Sequence, residues 1–353
     1  MQFTYYNPVK IRFGVDYLEA IKGVANRLQG AQFLLVTSKG FSKRGLSEKI
    51  ANALGAQLIG IIDEITPNPQ LKHLLDIKSK LAKFNAIIAL GGGSVIDSAK
   101  FLSVDSALEN GNFIIKSKPK YLYALPTTSG TSSELTHWAT IWDNDAFIKH
   151  SLSDESLYPK EAIYDPRLTL SLPRETTIHT ALDALSHSFE SIWNNNANPI
   201  STHYALNAIE IILRDLAPLN QNLHSLKLRA NIMQASIYAG LAFSNTQTAL
   251  AHALSYPLTM KYATPHGLAC AFSLPLLLDC LPKISEANAL LSPFKKRLLN
   301  LFEKLEISTN PRDYGLNPAF INEIFATLNP RAKNGIFDIN AVKENFLKSV
   351  QVF

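Results

Sequence analysis

A chain of 353 residues, 46% hydrophobic and 18% charged, has apolar mass for a large core divided between two domains. No uninterrupted apolar run reaches the roughly 18 residues of a membrane span, and the opening MQFTYYNPVKIRFG lacks the order of a signal peptide, so a cytoplasmic protein without a membrane partner is expected. The net charge of +5 comes from dispersed lysines, densest at Lys116, Lys118 and Lys120; no basic helix or aromatic platform points to nucleic acid, and the balance suits an anionic substrate or a phosphorylated cofactor.

In chain order, the first half alternates β-rich runs with amphipathic helices. QFLLVTS is followed by a helix in SKRGLSEKIANALGA, AQLIGII by a helix in QLKHLLDIKSKLAKF, and NAIIALGGGS by a helix from SVIDSAKFLSV. Then come a strand in KYLYALPTTSG and β-like stretches at HWATIWD and FIKHSLSD, before the sheet pattern fades at AIYDPRLTLSLP. This is the pattern of a parallel sheet covered on both faces. From about Glu175 the periodicity is helical, as in SLKLRANIMQASIYAGLAFS and AVKENFLKSV. The expected organisation is an α/β Rossmann-like dinucleotide-binding domain over 1–170 and an all-α metal-binding domain over 171–353, with a cleft between them. Two cysteines, Cys270 and Cys280, lie in one apolar segment and read as core thiols.

Two features carry chemistry. In NAIIALGGGSVIDSAK a buried strand runs through Gly91, Gly92 and Gly93 into a helix. Glycines let backbone approach an anion, and the first amides of the helix supply donors, so a pyrophosphate fits; a plain tight turn is the alternative. PTTSGTSSE, after the next strand, offers the hydroxyls of Thr127, Thr128 and Thr131. Downstream, Asp183 and His187 share a helix at i, i+4 spacing, and His252 and His266 stand fourteen residues apart, the second in the turn-forming TPHG. This oxygen and nitrogen set suits Fe(II) or Zn(II), although any one of these histidines taken alone reads more readily as an ordinary structural residue.

GGGSVIDSAK, PTTSGTSSELT, DALSHSFE, the Ala251–His252 pair and TPHG occur in one order and spacing. In this the chain resembles the iron-containing (group III) alcohol dehydrogenases, from the N-terminus to at least His266. The resemblance implies their dehydroquinate synthase-like architecture, with Asp183, His187, His252 and His266 as metal ligands. It further implies that Gly92, Gly93 and Ser94 carry the pyrophosphate, that Asp97 supports that loop, and that Thr127, Thr128 and Thr131 line the cofactor site. Asn68 in TPNP and Lys149 in FIKHS match further positions near the cofactor; an ordinary turn residue and a solvated side chain are their alternatives.

Departures from the family pattern matter as much. Ser38 stands where NAD-using relatives carry an aspartate that accepts bonds from the ribose, and Lys39, Lys43 and Arg44 follow it. NADP(H) is therefore expected to be tolerated beside NAD(H), or preferred to it. Tyr256 replaces a histidine often cast as proton relay, and a phenol with an ordinary pKa of about 10 makes the relay an open choice between Tyr256 and His179. Ala181 stands in place of a glycine.

The resemblance implies hydride transfer between nicotinamide and a small aldehyde or alcohol, with the metal as Lewis acid. AHALSYPLT with ESIWNNNANPIS is similar to the phosphonoacetaldehyde reductase-like branch. A dehydroquinate synthase-like lyase or cyclase, and a non-catalytic nucleotide-binding protein, are the competing functions. A homodimer or larger homo-oligomer is expected by analogy with the family.

Overall fold

Short runs, too short for helices, build the sheet of the first unit, and its inner strands Phe33–Val36, Ala86–Gly91 and Glu161–Tyr164 are buried over their whole length. The computed structural model describes residues 2–109, 111–146 and 148–351. Its strands are β1 (Lys10–Phe13), β2 (Phe33–Val36), β3 (Leu58–Ile62), β4 (Ala86–Gly91), β5 (Ser106–Glu109), β6 (Asn112–Ile115), β7 (Tyr121–Pro126), β8 (Trp138–Asp143), β9 (Ile148–Ser153) and β10 (Glu161–Tyr164). Six of them form one sheet in the order β1-β10-β7-β4-β2-β3, every neighbouring pair parallel. Parallel strands need crossovers, and helices such as Tyr17–Arg27, Leu46–Leu54, Leu71–Ser79 and Gly93–Leu102 supply them. Cores lie on both faces: Ile21, Phe33, Leu35 and Ile88 on one, Leu34, Val36, Ile87 and Ile96 on the other. Each such side chain contributes about 1.5–3 kcal/mol on burial.

The expected α/β-plus-helical fold class is what the chain adopts, with differences in detail. β1 and the helix after it belong to the unit, although the sequence reading assigned nothing there. The sheet does not end where its pattern fades, because all four residues of EAIY are buried in β10, between β1 and β7. A strand this short, closed by Pro166, shows too few periods to read. HWATIWD and FIKHSLSD pair with each other as the antiparallel hairpin β8–β9, outside the main sheet; Phe147 lies outside the described residues.

The second unit runs from Leu170 onward and includes the segment ending at Tyr6 and Ser129–Thr131. Its long helices are Arg174–Ile192, Pro199–Gln221 and Leu226–Thr246, followed by Leu250–Tyr262, His266–Ala271 and shorter ones. Sequence explains the boundaries. Asn198 and Ser201 cap each other reciprocally with Pro199 in the first turn, and Ser225 caps the third helix at the amide of Leu228. The first helix is buried almost all round from Ala181 to Ile192, so its polar residues need internal partners. Among the described residues no helix is long and apolar enough to cross a membrane.

Candidate functional site

In the α/β unit, the segments that follow β2, β4 and β7 leave the carboxyl ends of three adjacent parallel strands, where open α/β sheets bind ligands. Gly92 precedes the helix Gly93–Leu102 and no side chain caps it, which leaves its first amides to a ligand. A Cβ on Gly92 would stand 2.9 Å from Thr128 Oγ1, so glycine lets the two loops come together. Ser94 accepts from the amide of Asn68 at 3.3 Å, and Asn68 has a left-handed φ of 55°. Asp97 accepts from Ser133 Oγ and from the Thr140 amide, which ties the helix to the segment leading into β8. Lys149 Nζ lies 5.5 Å from the Trp142 ring centre. Asn68, Ser94, Asp97, Thr127, Thr128 and Lys149 thus all belong to one unit, whereas Thr131 belongs by its contacts to the helical unit.

Ser38 caps the short helix Lys39–Lys43 without a side-chain bond, and its backbone bridges to Glu64. Lys39, Lys43 and Arg44 are exposed. Sequence reasoning missed Lys100, which closes GGGSVIDSAK. Its Nζ is fully buried and donates to Ser133 O, Ser133 Oγ, Thr136 Oγ1 and Trp138 O. Burial pushes the amine down to about 8, against the pull of Asp97 and Glu134.

The helical unit gathers the other residues. Asp183 and His187 share one helix face, with His187 Nε2 3.9 Å from Asp183 Oδ1. His252 Nε2 comes within 3.3 Å of that oxygen and His266 Nε2 within 3.8 Å. The tightest group is not the expected quartet: Asp183, His252, His266 and Cys270 each place one ligand atom within 4.8 Å of the others. His187 stands beside them, stacked between Phe243 at 3.9 Å and His252 at 4.5 Å. Cys270, read from sequence as a core thiol, is buried but lies against the site, with Sγ 3.9 Å from both ring nitrogens of His266.

Glu190 was also missed. It is fully buried, two turns beyond Asp183, and accepts the amides of Ala249 at 2.9 Å and His252 at 3.1 Å. It therefore caps the helix Leu250–Tyr262, which has no cap of its own. The same carboxylate takes His252 Nδ1 at 2.6 Å. In a neutral ring with its proton on Nδ1, the lone pair is on Nε2 and faces Asp183. The available signal was a second acid at the end of DALSHSFE, on the helix face that carries Asp183. Gly267 explains the glycine of TPHG: a Cβ there would stand 1.8 Å from His179 O. Only glycine lets the helix His266–Ala271 seat against the helix carrying Asp183.

A divalent cation fits these residues. Asp183 Oδ1 and His252 Nε2 are buried, and neither has a hydrogen-bond partner among the described residues. With His252 neutral the two are acceptors facing one another, which is costly unless a cation lies between them. Burial alone would raise the Asp183 carboxyl, but His187, His252 and His266 outweigh it and hold it well below the usual range. Burial likewise pushes His187 down to about 4, favouring the neutral imidazole a metal needs. His266 keeps 40% of its side chain exposed and so borders solvent, with the Tyr256 ring parallel to it at 6.1 Å. His179, one turn before Asp183, is half-buried, and that burial pushes its imidazole down.

Comparison with known proteins agrees with this chemistry. Residues 8–166 match the family model "Iron-containing alcohol dehydrogenase", and residues 177–332 match "Fe-containing alcohol dehydrogenase family, C-terminal". The chain is 31% identical to alcohol dehydrogenase 4 of Saccharomyces cerevisiae (strain ATCC 204508 / S288c), over 83% of its own length and 78% of the relative's. It is 30% identical to sulfoacetaldehyde reductase of Bilophila wadsworthia (strain 3_1_6), over 78% and 74%. The crystal structure of sulfoacetaldehyde reductase from Bifidobacterium kashiwanohense in complex with NAD+ superposes with a TM-score of 0.93 at 24% identity, covering 100% of each chain. The chain belongs to the iron-containing alcohol dehydrogenase family and is an NAD(P)-dependent, divalent-metal oxidoreductase of alcohols and aldehydes.

Proposed function

We propose that this enzyme reduces a two-carbon aldehyde bearing an anionic sulfonate or phosphonate, with Asp183, His187, His252 and His266 holding its divalent metal. The observation that carries the metal assignment is the buried pair Asp183 Oδ1 and His252 Nε2, 3.3 Å apart and without a hydrogen-bond partner among the described residues. Two sulfoacetaldehyde reductases among the similar proteins and the net charge of +5 support the anionic substrate.

When bound, the metal supplies a Lewis acid for the carbonyl oxygen and the dinucleotide supplies the hydride. The chain's own residues bind, orient and move protons. Glu190 keeps the proton of His252 on Nδ1 and so aims Nε2 at the metal position. Gly92, Gly93 and Ser94 offer the pyrophosphate a helix N-terminus, Asn68 fixes Ser94, and Asp97 braces the helix. Thr127, Thr128 and Thr131 present hydroxyls to the cofactor, and Lys149 presents a cation. Tyr256, parallel to His266, and His179, one turn ahead of Asp183, are the proton carriers for the substrate oxygen.

In this reading Ser38 admits NADPH, because no carboxylate side chain at that position repels a 2′-phosphate while Lys39, Lys43 and Arg44 attract it. The test is an assay of metal-loaded enzyme with sulfoacetaldehyde, phosphonoacetaldehyde, propanal and butanal, each with NADPH and with NADH. A kcat/KM at least tenfold higher for an anionic aldehyde supports the substrate, and the two anions distinguish sulfonate from phosphonate. Equal rates with propanal or butanal would overturn it. Ser38→Asp is expected to lower kcat/KM for NADPH by about tenfold or more while sparing NADH; an unchanged ratio would remove Ser38 from cofactor choice.

A further inference from the structure

We infer that Cys270 is a metal ligand of this enzyme, so that the cation is held by a thiolate in addition to oxygen and imidazole donors. The inference rests on the metal-site reading above and adds a donor that it does not contain. Three observations converge. Cys270 is buried, and Cys270 Sγ, Asp183, His252 and His266 form the group whose ligand atoms all lie within 4.8 Å of one another. Separations of 3.3 Å for Asp183 to His252, 3.8 Å for Asp183 to His266 Nε2 and 3.9 Å for His266 Nε2 to Cys270 lie within or just beyond the spacing of donors around one cation, since metal bonds of about 2.0–2.3 Å set tetrahedral donors roughly 3.3–3.8 Å apart. Asp183 Oδ1 and His252 Nε2, 3% and 2% exposed as residues, face the same space with no hydrogen-bond partner among the described residues.

Local geometry makes the arrangement a consequence of the sequence. His266 and Cys270 stand at i and i+4 on one short helix, as Asp183 and His187 do on the long one. Gly267 lets the short helix reach the long one at the backbone, which carries Cys270 inward with His266. On metal binding the thiol gives its proton to solvent and its sulfur shares an electron pair with the cation; nothing is oxidised or reduced. A soft sulfur donor among nitrogen and oxygen favours Zn(II) over Fe(II), so this chain should take zinc more readily than its family's name suggests.

The test is spectroscopic and needs no turnover. Full-length protein, stripped by chelation and free of nucleotide, is titrated anaerobically with Co(II), while bound cobalt, the visible d–d bands and the near-ultraviolet sulfur-to-cobalt charge-transfer band are recorded. The wild type is expected to bind one cobalt with a charge-transfer band. Cys270→Ser should lose that band and keep its d–d bands, and Cys280→Ala should retain both. Cobalt bound by the wild type with d–d bands and no charge transfer, or a band that survives Cys270→Ser, would overturn the inference. Because the first of these outcomes is read on the wild type, it does not depend on a variant folding. Absence of stoichiometric cobalt from the wild type, or undiminished binding by Asp183→Asn, would instead bring down the metal-site reading, and the thiolate with it.

Discussion

At the carboxyl ends of β2, β4 and β7 the working groups are largely backbone amides and small hydroxyls, and the residues that matter most are those that leave room for them. In the helical unit the working groups are long side chains that converge on one point, and what matters is the packing that aims them. Gly92 and Gly267 condense the difference. Each sits where a Cβ would collide, but Gly92 meets a threonine side chain at 2.9 Å, whereas Gly267 meets a helix backbone carbonyl at 1.8 Å. A side chain can rotate away; a carbonyl already within a helix cannot. Gly92 should therefore tolerate a small change that Gly267 does not.

The largest expected effect follows from that contrast. Gly267→Ala must separate the helix His266–Ala271 from the helix Arg174–Ile192, at a cost of about 3 kcal/mol or more. It displaces His266 and Cys270 together. Thermal unfolding and metal content per chain should both fall sharply. Normal metal content with an unchanged Tm would show that the two helices can slide apart freely, and the contrast between the glycines would collapse.

The same contrast sorts what was legible in the sequence. The strand-glycine-helix junction could be read because its chemistry is local: three glycines, a helix start and a buried strand lie within a dozen residues. Asp183, His187, His252 and His266 could be singled out because their residue types are good ligands and their order resembles a family. Glu190 and Cys270 were not, although each shares a helix with a candidate ligand, because the partners that give them meaning, the amides of Ala249 and His252 for the acid and Asp183 and His252 for the thiol, lie on other helices or segments. Lys100 was hidden for the same reason, as its four acceptors lie 33 to 38 positions downstream. β10 was lost because four residues give too little periodicity. What sequence concealed was the partners of buried polar groups, which tertiary packing alone decides.

Glu190 sharpens the comparison within the helical unit, because one carboxylate both caps a helix and orients His252, a proposed ligand. Glu190→Gln keeps the shape but leaves one oxygen to do the work of two, so the bonds to Ala249 N, His252 N and His252 Nδ1 cannot all survive. Metal affinity, measured by chelator competition, is expected to drop about 10- to 100-fold, as is usual when the partner of a ligating histidine is changed. A lower Tm with unaltered metal affinity would reduce Glu190 to a cap.

The smallest effect belongs to the cofactor loop. Gly92 has φ −83°, a conformation any residue adopts, so alanine brings no backbone strain and its only obstacle is Thr128. Gly92→Ala is expected to cost about 1 kcal/mol in stability while Thr128 shifts. The added methyl also stands at the entry to the helix whose amides are proposed to receive the pyrophosphate, so on that reading the Kd for NAD(P)H should rise by about tenfold, or 1.4 kcal/mol. Combining it with Thr128→Ala opens the steric contact and should recover the Tm. Nucleotide affinity should stay low in the double variant, because the methyl still crowds the phosphate. If affinity recovers along with stability, the loop contributes only its fold, and the phosphate must be bound by groups other than these amides.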